Sequence, residues 1–111
     1  MSAIVPKLLF IGNQQTGSIY SAPSGSENYA IVKSINVANT SSTSQTFSLN
    51  LVPSGDTVSS SNVIVGNVAM SGNNVFSYET SIVMPAGSTL HVNQPSTNLT
   101  FTISGVEYNV V

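Results

Sequence analysis

The chain has 111 residues, a formal net charge of −2, no cysteine and no tryptophan, and only 5% of its residues are charged. That length suits one domain with a single core, and the lack of cysteine removes disulfides, thiolate nucleophiles and cysteine-based zinc sites. Lys7 and Lys33 are the only basic side chains, too few to neutralise a run of phosphates or to hold a helix on an anionic bilayer. Neither nucleic acid nor a membrane is therefore expected as a partner. Ser, Thr, Asn and Gln supply about two-fifths of the chain, where ordinary soluble domains rely on ~25% charged residues.

The apolar run from Ile4 to Ile11 is interrupted by Pro6 and Lys7 and ends at Gly12. It is too short to span a bilayer and lacks the basic start and small-residue cleavage site of a secretory signal, so the chain reads as soluble. Residues 7–11 and 16–21 are candidate strands around the turn 12–15. Two readings stand for residues 1–26. They form the first hairpin of a sandwich completed by residues 27–111, or an N-terminal arm whose Leu8, Leu9, Phe10 and Ile11 pack on a neighbouring subunit. Apolar arms and sheet edges must be covered, so assembly fits both.

From Tyr29 onward the pattern has period two, as strand side chains alternate between faces. Residues 29–39 place Ile31, Ile35 and Val37 on one face, with Ser34, Asn36 and Ala38 on the other. Lys33 shares the face of Ile31 and Ile35. It reads as a snorkelling side chain near an edge or as half of an intersubunit ion pair with Glu27, Glu79 or Glu107. After a Ser/Thr loop at 40–44, residues 45–52 point Phe47, Leu49 and Leu51 inward, and Pro53-Ser54-Gly55-Asp56 supplies turn chemistry. Residues 62–70 form the next strand. Residues 75–83 follow with Phe76, Tyr78 and Ile82 against Ser77, Glu79 and Ser81. Leu90 and Val92 set the register of residues 88–93. Residues 98–105 alternate Leu99, Phe101 and Ile103 with Thr100, Thr102 and Ser104, and the tail 106–111 continues this strand or adds an edge. No stripe of helical period appears. The prediction is an all-β fold: an antiparallel β-sandwich of about 7–8 short strands with jelly-roll or Greek-key connections.

Parts for chemistry are few. His91 is the sole histidine, and the acids Glu27, Asp56, Glu79 and Glu107 stand singly, without metal-ligand spacing. No G-x-S-x-G elbow marks a serine for a triad with His91, and neither nucleotide-binding glycine motif occurs. A carboxylate pair for glycoside hydrolysis would have to join Glu79 to Glu107 across strands. No catalytic residue, metal site or cofactor is expected. Asn39-Thr40-Ser41 and Asn98-Leu99-Thr100 match the glycosylation pattern, which chance supplies readily in so Asn-rich a chain.

The ordered series Tyr29-Ala30-Ile31-Val32-Lys33-Ser34-Ile35-Asn36-Val37-Ala38-Asn39-Thr40, then Thr46 to Leu51 and Val52-Pro53-Ser54-Gly55, Pro85 to Leu90, and Thr100 to Glu107 (T-F-T-I-S-G-V-E) resembles a group of small tailed-bacteriophage virion proteins. The resemblance spans roughly residues 25–107 and leaves the N-terminal segment outside it. It implies a β-sandwich building block of the particle, in the tail, neck, baseplate or head decoration, and brings no catalytic residue. Composition agrees: a low-charge surface of hydroxyls and amides loses little on burial between subunits. The expected function is thus that of a non-enzymatic structural protein of a virion, homo-oligomeric or bound repetitively to other virion proteins of a capsid or tail lattice. Two rivals are a receptor- or carbohydrate-binding sandwich using Tyr20, Tyr29, Tyr78 or Tyr108, and a small hydrolase built on His91.

Overall fold

Alternation of β-branched and aromatic residues with Ser, Thr and Asn produces eight strands. The computed structural model describes residues 2–110, with strands β1 (Ser2–Gly12), β2 (Thr16–Ser21), β3 (Tyr29–Asn39), β4 (Gln45–Val52), β5 (Val63–Met70), β6 (Val75–Pro85), β7 (Thr89–Asn93) and β8 (Leu99–Val110). Among the described residues no helix is long and apolar enough to cross a membrane.

Two four-stranded antiparallel sheets result, ordered β1-β8-β3-β6 and β2-β7-β4-β5. Every connection crosses from one sheet to the other except β4–β5, which is the pattern of a jelly roll, two Greek keys wrapped together. The hairpin expected of the first 26 residues does not form. β1 pairs with β8 and β2 with β7, so the turn at residues 13–15 joins the two layers instead of two neighbours. The physical reason lies in the partners: the long regular strand β8 and the short β7 each offer an open side to which β1 and β2 add.

The inner faces meet over an aromatic and aliphatic core. Phe47 packs edge-on against Phe101 at 5.5 Å between ring centres and against Phe76 at 5.6 Å. Leu49, Leu90, Leu99, Ile103, Ile35 and Met84 are fully buried around them, each contributing about 1.5–3 kcal/mol through loss of apolar surface to water. Leu51 packs on the rim of this core.

A bulge in β3 overturns one expectation. Between Val32 and Ser34 the register shifts against both β8 and β6, and the extra residue switches the inward side. Ala30 and Val32 are buried before it, Ile35 and Val37 after it. Ile31 and Lys33 therefore do not share the face of Ile35; strict period two fails wherever one strand carries an extra residue. Gly105 explains how the bulge is seated. A Cβ there would lie 2.0 Å from the Ile31 carbonyl oxygen and 3.2 Å from Val32 Cα, so β3 can press onto β8 only at a residue with no side chain.

Three buried amides tie the loops. Asn39 is 3% exposed; its Nδ2 donates to the carbonyls of Thr43, Met70 and Ser71, and its Oδ1 accepts from Ser41 N at 3.0 Å. This nitrogen is enclosed by the β3–β4 and β5–β6 loops, so the first glycosylation pattern is a structural amide. Gln94 Nε2 donates to Gln14 O at 2.8 Å and to Leu99 O, while its Oε1 accepts from Leu99 N. Asn50 Nδ2 donates to Ser59 O and Asn62 Oδ1, pinning the long β4–β5 loop over the outside of β4. Buried amides persist only when so satisfied, and each of the three finds its partners in a loop that folds against it.

Candidate assembly surface

The outer faces of the two sheets differ in kind. On the β2-β7-β4-β5 sheet the outward residues of β2, β7 and β4 are mostly hydroxyl, amide or imidazole, among them Ser18, Ser48, Thr89, His91 and Asn93. The exposed apolar side chains Val63 and Ala69 stand on the edge strand β5. On the β1-β8-β3-β6 sheet, register places Pro6 beside Val106, Val106 beside Ile31, and Ile31 beside Val83. One apolar row thus crosses all four strands. Beyond it Tyr29 stacks on Tyr108 with ring centres 5.0 Å apart, and Tyr29 pairs in turn with Pro85. In the opposite direction the rows become polar, through Leu8, Ser104, Ser34 and Glu79 to Ile11, Thr102, Asn36 and Ser77. Ser77 Oγ donates there to Asn36 Oδ1 at 2.9 Å.

Exposure confirms the orientation. Val83 is 55% exposed, Leu8 52% and Ile11 62%, far from the near-complete burial usual for such side chains. Val83 and Pro85 also line an open groove of about 410 Å³ between the free edges of β6 and β5, with Leu51, Val63 and Ile64 on its other wall. The apolar surface therefore continues around the β6 edge.

The four N-terminal apolar residues separate into two pairs. The register of β1 shifts between Leu8 and Phe10, so Leu9 is buried at 8% exposure and Phe10 packs on the core, while Leu8 and Ile11 face outward. Lys33, at the bulge, is exposed and donates from Nζ to Ser81 Oγ at 2.8 Å, leaning toward β6. Sequence reasoning missed Pro6, Ile31, Val83 and Val106 as a unit. One signal was readable: Val83 is an apolar residue on the side of its strand shared with Ser77, Glu79 and Ser81. The row itself depended on register.

At one end of the sandwich Glu107 of β8 joins three strands. Its Oε1 accepts from Lys7 Nζ of β1 at 3.1 Å, and its Oε2 accepts from the Tyr20 hydroxyl of β2, in the opposite sheet. The Glu107 side chain is 12% exposed. Burial alone would raise its pKa, but hydrogen bonds from Tyr20 and Lys7, the lysine charge and a hydrogen bond from Asn109 together hold the carboxyl below the usual glutamate range. Burial, then the hydrogen bond to Glu107 and the charge of Glu107, push the Tyr20 phenol above its ordinary value.

The residues weighed for chemistry lie apart. His91 Nε2 is 3.1 Å from Thr89 Oγ1, and His91 stands between Ser18 and Asn50 on the outer polar face. Asp56 accepts from Thr57 N at 2.9 Å in the exposed β4–β5 loop. Glu79 and Glu107 do not meet: β3 runs between their strands, with Glu79 opposite Ser34 and Glu107 opposite Ala30. Among the described residues no three His, Asp or Glu side chains gather as metal ligands. Of the tyrosines, Tyr20 is committed to Glu107, Tyr29 and Tyr108 to each other, and Tyr78 lies 6.4 Å from the Phe76 ring at 39% exposure.

No protein-family model and no curated protein matches this chain. Among solved structures, a chain in the structure of infectious bursal disease virus Gx strain is similar over 97% of this chain, with a TM-score of 0.52 and 10% sequence identity. The match covers 31% of that viral chain, so this polypeptide corresponds in length to about a third of it. The tobacco streak virus coat protein aligns over 98% of this chain and 86% of its own length, at a TM-score of 0.46 and 9% identity. At 10% identity the likeness to the infectious bursal disease virus chain is one of fold alone.

Proposed function

We propose that this chain is a non-enzymatic structural component of a virion that works by protein–protein assembly. The observation that carries the reading is the apolar row Pro6–Val106–Ile31–Val83 on an otherwise hydroxyl- and amide-rich surface. Contiguous exposed apolar surface of this kind marks a site of association. The fold likeness to a chain of infectious bursal disease virus supports the viral setting, and jelly rolls are a recurrent architecture of viral capsid domains. The resemblance of the ordered motifs in residues 25–107 to small tailed-phage virion proteins supports a place in the tail, neck, baseplate or capsid decoration of a tailed phage, with other virion proteins or copies of itself as partners. Chemistry requires no role for His91 or for the four separated acids. Electron microscopy of purified virions, with mass-spectrometric identification of their proteins, tests the reading. The chain is expected in intact particles at many copies. Its absence from them would remove the proposal.

A further inference from the structure

We infer that two copies of this chain pack outer face on outer face through the β1-β8-β3-β6 sheet, about a two-fold axis running along the strands between β8 and β3. The inference deepens the assembly reading by naming the partner as a second copy. Three observations favour it over an unlike partner. First, the apolar row is self-complementary under that rotation. Pro6 of one copy meets Val83 of the other and Val106 meets Ile31, apolar on apolar at every step of the row.

Second, no like charges meet across the contact, and the rotation sets Glu79 of the edge strand β6 over Leu8 of the edge strand β1, at the rim of the face. The two charged residues facing out from this sheet near the row are Lys33 and Glu79. Lys33 leans away from the centre onto Ser81 of β6, the strand that also carries Glu79. The middle strands, β8 and β3, meet through Val106, Ser104, Ile31 and Ser34, so no like charges confront each other where water is excluded. Third, the area suffices. Four strands at ~4.8 Å spacing and about 11 residues of ~3.3 Å rise give a face of about 700 Å², against about 800 Å² per partner in a standard interface. Sheets so packed lie ~10 Å apart at about −30°, a spacing that valine, isoleucine and proline side chains fill.

Sedimentation of the purified chain at ~100 μM, well above a micromolar Kd, is expected to give twice the chain mass. Val83→Lys and Ile31→Lys each place an unpaired ammonium in the contact and should weaken the dimer at least ~10-fold. Val83 is more than half exposed, so V83K should keep the wild-type melting curve when both are compared well below the dimer's Kd, where each is monomeric. Because the chain has no cysteine, geometry is read separately with Pro6→Cys and Val83→Cys. A short bis-maleimide should link the mixture of these two variants and neither variant alone. A wild-type monomer at that concentration, a dimer indifferent to V83K, or equal cross-linking in the single variants would each overturn the inference. A dimer of a chain absent from virions would sink the virion role and leave this contact standing; a monomer found in virions would do the reverse.

Discussion

Gly105→Ala is the most incisive substitution available in this fold. One methyl group is added at a position where the new carbon would sit 2.0 Å from the Ile31 carbonyl oxygen, 3.0 Å from Ile31 C and 3.2 Å from Val32 Cα. All three neighbours are main chain in the middle of the sheet, so no side chain can swing aside. Relief requires β3 to separate from β8 around the bulge. Overpacking of a core by a methyl costs about 1–3 kcal/mol, and each ladder hydrogen bond stretched or lost adds ~1 kcal/mol. With one or two such bonds affected the sum is about 2–5 kcal/mol, a large part of a typical total of 5–15 kcal/mol. The melting temperature should fall by about 8–20 °C on the ~4 °C per kcal/mol expected for a domain of this size. Urea unfolding followed by far-UV circular dichroism measures it, since no tryptophan is present. Gly55→Ala is the control: it has open space around it at φ 81°, so only the left-handed backbone resists, at ~1 kcal/mol. If G105A unfolds within 1 kcal/mol of the wild type, the claim that this glycine seats the β3 bulge is wrong.

Leu9→Ala should cost about 2–4 kcal/mol as a buried truncation, whereas Leu8→Ser and Ile11→Ser should leave urea midpoints within about 0.5 kcal/mol of the wild type, with any loss appearing in self-association instead. Asn39→Leu removes the donor to three loop carbonyls and should lower stability by about 2–4 kcal/mol, measured by thermal melting. For Glu107, a folded pKa below the unfolded value means that its stabilisation is complete above the ordinary glutamate pKa of ~4.3 and fades as pH falls through the folded value. Tyr20, raised in the fold, gives the mirror case: its contribution is complete below ~10 and is lost as pH climbs beyond that. Urea midpoints of the wild type should therefore drop at both extremes more steeply than those of Glu107→Gln, and parallel pH profiles for the two chains would refute the stabilising role of the Lys7–Glu107–Tyr20 contacts.

Much of the sandwich was legible in the linear sequence because period two and turn chemistry are local properties. The strand 99–110 shows this best: Leu99, Phe101 and Ile103 alternate without a break and are fully buried in the fold. The same regularity misled at Ile31. A bulge inserts a residue without leaving a mark in hydrophobicity, so the inward side changed from even to odd positions of β3 while the pattern still read as continuous. Leu8 to Ile11 divided into inward and outward pairs for the same cause.

The candidate surface was less legible than the core. Pro6, Ile31, Val83 and Val106 are up to 100 positions apart in sequence, and each alone is an unremarkable apolar residue on a strand. Composition by itself determined that the surface carries little charge and that only two basic side chains are present to meet phosphates or an anionic bilayer. Alternation determined that strands form and roughly where they end. Tertiary structure alone decided which strand lies beside which, and therefore that Glu107 receives Lys7 and Tyr20 from two different sheets. It also decided that four scattered apolar side chains line up in one row. The physical reason is that a strand's preference for one face is written in its own residues, whereas its neighbours and register are chosen by the free energy of the whole assembled pair of sheets.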